Sequence, residues 1–554
     1  MKQHSAAITP SEQALADAVG QKLMLSFEGA TPAPELLATL ESHEVAGVTL
    51  FRAKNVVDAA QVRELTAALQ RAAASAGRTP LLIGADQEGG QLMAIDGGMT
   101  RFPGNLALGA TGSAELAYRN GLALGRELAA VGVNVNYAPS CDVNSNPRNP
   151  VIGIRSFGED PAAVGALAAA MVRGMQAAGV AATAKHFPGH GDTAGDTHDG
   201  AVVLPHDAAR LRAVELPPFA AAIGAGARLV MSAHLATPAL NQGLAIPATL
   251  SPALLSGILR TELGFAGLVI SDAMDMHAIA QDERLAIDAI AASSAGVDLL
   301  LLGADPARQR LVAEGLRHAA RRGLLQPAAL LASAARVLEL KRWLAAQPQP
   351  DFTLVGCAEH RALAFEIAAR AATLVRDDAG LLPLRLAPEQ RVAVIVPRPI
   401  DLTPADTSSY IRPALAAALR RHHPAVGEIE LPFEPSASDI AGARAWAASY
   451  DLVIVATISA APGGAQAALV RALLAGPAPV VALALRTPYD LAAYPEAPTY
   501  ACSYGILPPS IEALALALLG HIPFGGRLPV SIPGLYPLGH SAEPRAPQAP
   551  APAR

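Results

Sequence analysis

Residues 184–200, AKHFPGHGDTAGDTHDG, place three histidines, three aspartates, one lysine and four glycines within seventeen positions. A core segment of that length would be dominated by branched apolar side chains. This one carries proton-transfer groups and backbone freedom, the composition of a working loop on a rigid scaffold. Asp196 and His198 lie two apart, so both side chains face the same way if the backbone is extended. A carboxylate beside an imidazole fixes its tautomer and makes it a better proton donor near neutral pH, so the pair can serve as general acid and then general base. The same pair can equally stabilise the loop by bonding to backbone. A metal site is the weaker reading, because His186, His190 and His198 match none of the common ligand spacings and no cysteine joins them.

Further candidates stand at the ends of apolar runs. Asp272 ends GLVISD, where it is placed either as a nucleophile or electrostatic stabiliser, or as the N-cap of a helix beginning AMDMHAI. Asp275, three residues on, is expected in the first turn of that helix. Asp86, in GADQEGG, precedes two glycines that let the backbone turn sharply; it can grip vicinal hydroxyls or simply cap the turn. Lys185 and His186 end another run, and a lysine there is costly unless it is paired or solvated by a pocket. Arg155, in GIRSFGEDP, suits a binding loop or an ordinary surface ion pair.

What must position these residues is a repeating unit of strand and helix. Apolar β-type runs occur at 21–29, 45–51, 80–86, 133–143, 179–187, 227–235, 267–274 and 296–303, separated by Ala/Leu-rich stretches of helical period. Continuous apolar strands joined by helices imply a parallel sheet covered on both faces, and eight such units imply a (β/α)8 TIM barrel. Asp86, Asp142, Lys185, His186, His234 and Asp272 then all fall at the C-terminal strand ends, which form one rim. After LAAQPQPDFT (344–353), a Pro- and Gln-bearing linker, the alternation restarts with runs at 391–397, 451–457, 479–485 and 499–504. This is a second α/β layer domain with a mostly parallel open sheet; it has neither GxGxxG after its first strand nor a P-loop, so nucleotide binding has no support.

The chain has 554 residues, 51% hydrophobic and 16% charged, with a formal charge of −6. That is globular, long enough for two large domains, and has no basic run to suit nucleic acid. Apolar runs are of strand length, not membrane span. The N-terminus does not read as a signal peptide, and Cys141, Cys357 and Cys502 form no disulfide pattern, so a reducing cytoplasm is expected.

ADQEGG, IRSFGEDP, AKHFPGHGDTAGDTH and VISDAMDM together resemble glycoside hydrolase family 3, as do ATLSPALLSGILRTELGF and LVRDDAGLLPL (374–384). The resemblance spans nearly the whole chain, omitting only the tail: a barrel (1–345), a linker (346–356) and a C-terminal α/β/α sandwich (357–538) are expected, and the Pro/Ala-rich composition of the tail (539–554) gives the expectation that it is disordered. KHFPGHGDT followed by D-[ST]-H is similar to the β-N-acetylglucosaminidase branch of the cell-wall-recycling type. It implies Asp272 as nucleophile, His198 as acid/base with Asp196 as its partner, and Asp86, Arg155, Lys185 and His186 as substrate-binding residues. It implies a small carbohydrate substrate and no metal or cofactor. One departure stands out: the branch usually places an arginine four residues after DQEGG, where this chain has Ala94; Arg101, after a short insertion, either replaces it in part or belongs to the separate RFPG turn, which leaves the preference for N-acetylglucosamine over a plain hexose open. A neutral imidazole acid/base repels an anionic acceptor less than a carboxylate would, so phosphate is a possible rival to water.

Overall fold

The computed structural model describes residues 11–197, 200–279 and 281–543. His198, the expected acid/base, and residues 544–554 of the expected tail lie outside the described residues.

Eight parallel strands form the first sheet: β1 (Leu23–Leu25), β2 (Gly47–Leu50), β3 (Leu82–Ala85), β4 (Val135–Asn136), β5 (Ala181–Phe187), β6 (Leu229–Ser232), β7 (Leu268–Ser271) and β8 (Leu300–Leu301). Their order is β7-β6-β5-β4-β3-β2-β1-β8, and a parallel bridge between Ile270 and Leu299 links the two ends into a barrel. The strands are shorter than the apolar runs that announced them, because the runs continue into the rim loops. Alternation still sorts the side chains. Met24 points into the barrel with Leu82, Val135, Leu229, Leu268 and Leu301, while Leu23 and Leu25 face the surrounding helices. Each such buried side chain contributes roughly 1.5–3 kcal/mol, which is why both faces of these strands are apolar. Val337 and Leu340, on the helix Pro327–Ala345, join the interior cluster and close one end of it.

The helices begin where capping residues allow. Asp58, Ser113 and Asp160 each accept a backbone N–H at the start of Ala59–Ser75, Ala114–Ala130 and Pro161–Ala177. The last two pack closely because Gly121 and Gly174 carry no side chain. A Cβ on Gly174 would lie 2.1 Å from the Tyr118 carbonyl oxygen.

The second sheet has six strands: β9 (Thr373–Asp377), β10 (Val392–Pro397), β11 (Val426–Leu431), β12 (Leu452–Thr457), β13 (Val480–Ala484) and β14 (Thr499–Cys502). Their order is β9-β14-β13-β12-β10-β11; only β9 runs antiparallel to its neighbour. Four of the six coincide with the expected runs. β9 and β11 are additions, both at edges of the sheet. No helix among the described residues is long and apolar enough to cross a membrane.

Candidate active site

The rim of the barrel opens into a cavity of about 590 Å³ whose lining includes Asp86, Arg155, Lys185, His186, His190 and Asp272. Asp86 follows β3, Lys185 and His186 lie near the end of β5, and Asp272 directly follows β7. Arg155 ends a short 3-10 turn, Gly153–Arg155. Asp196 is buried but does not line the cavity; its neighbour Thr197 does.

A compact ion network forms the closed end. Lys185 Nζ lies 2.6 Å from Asp86 Oδ1 and 2.7 Å from Glu88 Oε1. Arg155 donates to Glu88 through Nε (3.0 Å) and Nη2 (2.8 Å), the planar two-point geometry that guanidinium and carboxylate favour. Arg155 is therefore a buried group, not the surface pair that its Gly/Pro-rich loop allowed. Burial alone would push the Glu88 carboxyl up, but the charges of Arg155 and Lys185 hold it down to about 2. Burial likewise opposes the Lys185 charge, and Asp86 and Glu88 overcome it, so its pKa is raised. Two cations and two carboxylates thus balance in a polar wall.

His186 is oriented from both sides. Its Nδ1 is 2.7 Å from Asp142 Oδ2 and its Nε2 is 3.3 Å from Arg155 Nη2. A guanidinium only donates, so Nε2 accepts and Nδ1 carries the proton toward Asp142. Asp142 is buried. Its Oδ1 also accepts the backbone N–H of His186 (3.1 Å) and of His190 (2.7 Å), and its Oδ2 accepts from Ser140 (2.9 Å). Burial would raise the Asp142 carboxyl, but the adjacent His186 and these hydrogen bonds lower it. Burial, and then the neighbouring His186, push His190 down to about 4, so it is neutral near pH 7.

The loop carrying Asp196 is tied to this core. His190 bonds Thr193 Oγ1 through Nδ1 (2.7 Å) and Thr197 Oγ1 through Nε2 (3.3 Å). Gly191 makes the tight passage possible: a Cβ there would lie 1.8 Å from the Val143 carbonyl oxygen. The Ala278 N–H donates to the Thr197 carbonyl (3.3 Å), joining this loop to the one that begins at Asp272.

Asp272 caps no helix. Its Oδ1 accepts the Ala273 N–H at 2.8 Å, and its own N–H donates to Ser232 at 2.9 Å. The next helix begins only at Leu285, so the helical turn expected around Asp275 is instead an irregular loop. His234 Nε2 donates to the Ala273 carbonyl at 3.1 Å while its Nδ1 faces Thr249 Oγ1 at 2.9 Å. Asp86 is likewise engaged by Lys185 across the rim rather than capping its own turn.

Glu88 was not among the sequence candidates, although it lies two residues beyond Asp86 in the same DQEGG motif. The second domain was also silent in the sequence, yet Asp401–Thr407 and Tyr410 line the same cavity. Thr407 Oγ1 donates to the Gln91 carbonyl (2.7 Å), and Arg486 pairs with Asp406 (2.8 Å) while bonding the Gln91 side chain. Among the described residues, no group of three or more His, Cys, Asp or Glu is placed to hold a metal ion.

The chain thus joins a (β/α)8 barrel with carboxylates and cations gathered at its C-terminal rim to a second α/β domain that lines the same cavity. Residues 14–340 match the family model described as the glycosyl hydrolase family 3 N terminal domain, and the chain belongs to glycoside hydrolase family 3. It is 38% identical over 410 residues to a protein named β-hexosaminidase A from Pseudoalteromonas piscicida, covering 66% of this chain and 68% of that one. To a β-N-acetylglucosaminidase/β-glucosidase from Cellulomonas fimi it is 32% identical over 544 residues, covering 90% and 91%. Among solved structures, a family 3 β-N-acetylglucosaminidase from Paenibacillus sp. str. FPU-7 superposes with a TM-score of 0.88 at 36% identity, covering 95% and 99% of the two chains. A β-glucoside phosphorylase superposes with a TM-score of 0.79 at 25% identity, covering 95% of each.

Proposed function

We propose that this chain is a retaining, exo-acting β-N-acetylglucosaminidase that removes terminal β-linked N-acetylhexosamine from cell-wall fragments in the cytoplasm. The observation that carries the reading is the convergence of Asp272 with Asp86, Arg155, Lys185 and His186 on one cavity, in a chain with 36% identity to a β-N-acetylglucosaminidase. In this reaction the Asp272 carboxylate attacks the anomeric carbon as the bond to the leaving oxygen breaks, giving a covalent glycosyl-enzyme. His198, oriented by Asp196, donates a proton to the leaving oxygen and then takes one from water, whose oxygen displaces Asp272. Asp86 and Lys185 hold hydroxyl groups, and His186 and Arg155 complete the wall. Because the charges of that wall balance, it suits an uncharged sugar ring better than an ionic substrate.

A wider choice of sugar has one specific support: the Cellulomonas relative carries both activities in its name. Ala94 lines the cavity where the branch usually has a long cationic side chain. Aryl β-N-acetylglucosaminide, β-glucoside and β-xyloside assayed side by side decide the matter. The proposal expects the first to be cleaved with the highest kcat/KM, and activity on the glucoside with none on the N-acetylglucosaminide overturns it. Phosphate added to the same assay tests the acceptor, a sugar 1-phosphate being the product if phosphate replaces water.

A further inference from the structure

The proposed mechanism draws on Asp196 and His198, and both belong to the stretch of chain between Asp192 and His206. The two ends of that stretch meet. His206 Nε2 lies 2.6 Å from Asp192 Oδ2, and because a carboxylate only accepts, Nε2 donates. Arg210 Nη2 donates to the same Oδ2 at 3.2 Å. All three residues lie outside the lining of the cavity, whereas Thr197, midway along the stretch, is part of it. Any effect of the three on the reaction must therefore pass through the chain they tie.

Both limbs are anchored behind this junction. On the incoming side, Asn149 Nδ2 donates to the His190 and Gly191 carbonyls at 2.8 and 3.1 Å, and Gly191 passes against Val143 where no side chain fits. On the outgoing side, Val202–Val203 pairs in parallel with Leu235–Ala236, and the Leu204 N–H donates to the Ala236 carbonyl at 2.9 Å. Arg210, on the helix Ala208–Val214, also reaches Glu215 Oε1 through Nη1 (2.9 Å) and Ser145 Oγ through Nη2 (3.3 Å). Glu215 is 1% exposed and packs against Gly189, where a Cβ would lie 2.7 Å from its Oε2. A continuous line of side chains, Glu215, Arg210, Asp192 and His206, thus runs from the buried turn after β5 to the neck of the loop.

The Asp192 and His206 side chains are 18% and 30% exposed, so the pair is partly solvated and adds little to global stability. Its effect is on shape. Pinning the two ends removes backbone freedom that would otherwise spread the positions of Asp196 and Thr197. Proton transfer is sensitive to such spread, since a misplacement of about 1 Å can cost on the order of a hundredfold in rate. We propose that Asp192 and His206 are positioning residues for the acid/base pair, a role that rests on the reading of His198 as the acid/base and not on which sugar is cleaved.

The test compares two aryl glycosides that carry a similar ring but differ in their need for a proton. The phenolate of a dinitrophenyl glycoside leaves unaided, whereas the oxygen of a phenyl glycoside must be protonated. N-acetylglucosaminides are used, or glucosides if the wild-type chain prefers them, and kcat/KM is compared because it reports the steps up to the glycosyl-enzyme. His206→Ala is expected to lower kcat/KM for the phenyl glycoside about tenfold more than for the dinitrophenyl glycoside. His206→Gln, whose Nε2 still donates, restores most of the difference. Retained cleavage of the dinitrophenyl glycoside shows that a variant is folded, and Asp192→Ala, made from the other side of the pair, gives the same differential loss. No loss, or an equal loss on both substrates, in His206→Ala and Asp192→Ala overturns the proposal, as does a difference in His206→Gln as large as in His206→Ala. His198→Ala separates the two readings. A differential loss there without one in His206→Ala removes the positioning role alone, whereas an equal loss on both glycosides in His198→Ala removes the acid/base assignment and the positioning role with it.

Discussion

Arg155 and Glu88 face each other through two hydrogen bonds, 3.0 and 2.8 Å, with both side chains almost wholly buried at the closed end of the cavity. Lys185 reaches the same carboxylate and Asp86 as well, so Glu88 links Arg155 to the Lys185–Asp86 pair and is the one carboxylate that faces Arg155. Breaking a buried pair by removing one partner costs roughly 3–5 kcal/mol, because the remaining charge keeps its desolvation penalty. Glu88→Gln is therefore expected to lower the unfolding free energy in urea by an amount in that range. A loss under about 1 kcal/mol would place the pair in an effectively solvated setting.

The same carboxylate makes stability depend on pH. Its folded-state pKa of about 2 lies below the ordinary 4.5, so between these values the unfolded chain binds a proton that the native state does not. Stability from this group is complete above about pH 4.5 and is lost as the pH falls toward 2, by roughly 3 kcal/mol in all. Asp142, also lowered, adds to the fall in the same direction. Urea midpoints measured across this range should decline more steeply in the wild type than in Glu88→Gln. Parallel slopes would contradict the assignment.

Asp142 supports the site without lining the cavity. It accepts from His186 and from the backbone of His190, and an asparagine there would turn a donor toward groups that already donate. Asp142→Asn is expected to reduce kcat/KM by at least tenfold as His186 loses the acceptor that orients it. Wild-type kinetics in this variant would show that the orientation of His186 is set elsewhere.

The segment of the second domain that bonds Gln91 of the barrel is braced by Asp406 and Arg486, a pair within that domain with side chains 0% and 7% exposed. Asp406→Asn leaves Arg486 unpaired and should cost roughly 3–5 kcal/mol, while Asp406→Asn with Arg486→Met should cost less than the sum of the single changes. Additive effects would mean that the two residues do not sense each other.

Much of this architecture was legible because buried parallel strands leave a strong signal: a continuous apolar run ended by a polar residue. All eight barrel strands announced themselves by an apolar run, and in five of them a polar end followed from where the run stops: Asp86, Asp142, Lys185 with His186, His234 and Asp272. The run 133–143 overshot because Val135–Asn136 is followed by Pro139, which has no N–H for a ladder. β11, VGEIEL, leaves no apolar run in the sequence because Glu428 and Glu430 interrupt its pattern on an edge of the sheet. The helix expected after Asp272 has a good local signal, but Gln281 donates from Nε2 to the Met274, Met276 and Ile279 carbonyls and stabilises a loop instead. Glu88 was hidden by the glycines that follow it, which read as a turn. Asp401–Thr407 and Tyr410 had no signal, since their place on the cavity depends on how one domain docks on the other.

In the proposed mechanism Asp272 forms the bond to the sugar. A slow fluorinated β-N-acetylglucosaminyl fluoride, incubated with the enzyme and followed by peptide mass mapping, tests it most directly. One added glycosyl group is expected on the peptide containing Asp272, and none in Asp272→Ala. An adduct on any other residue, or steady turnover of ordinary substrate by Asp272→Ala, would contradict it.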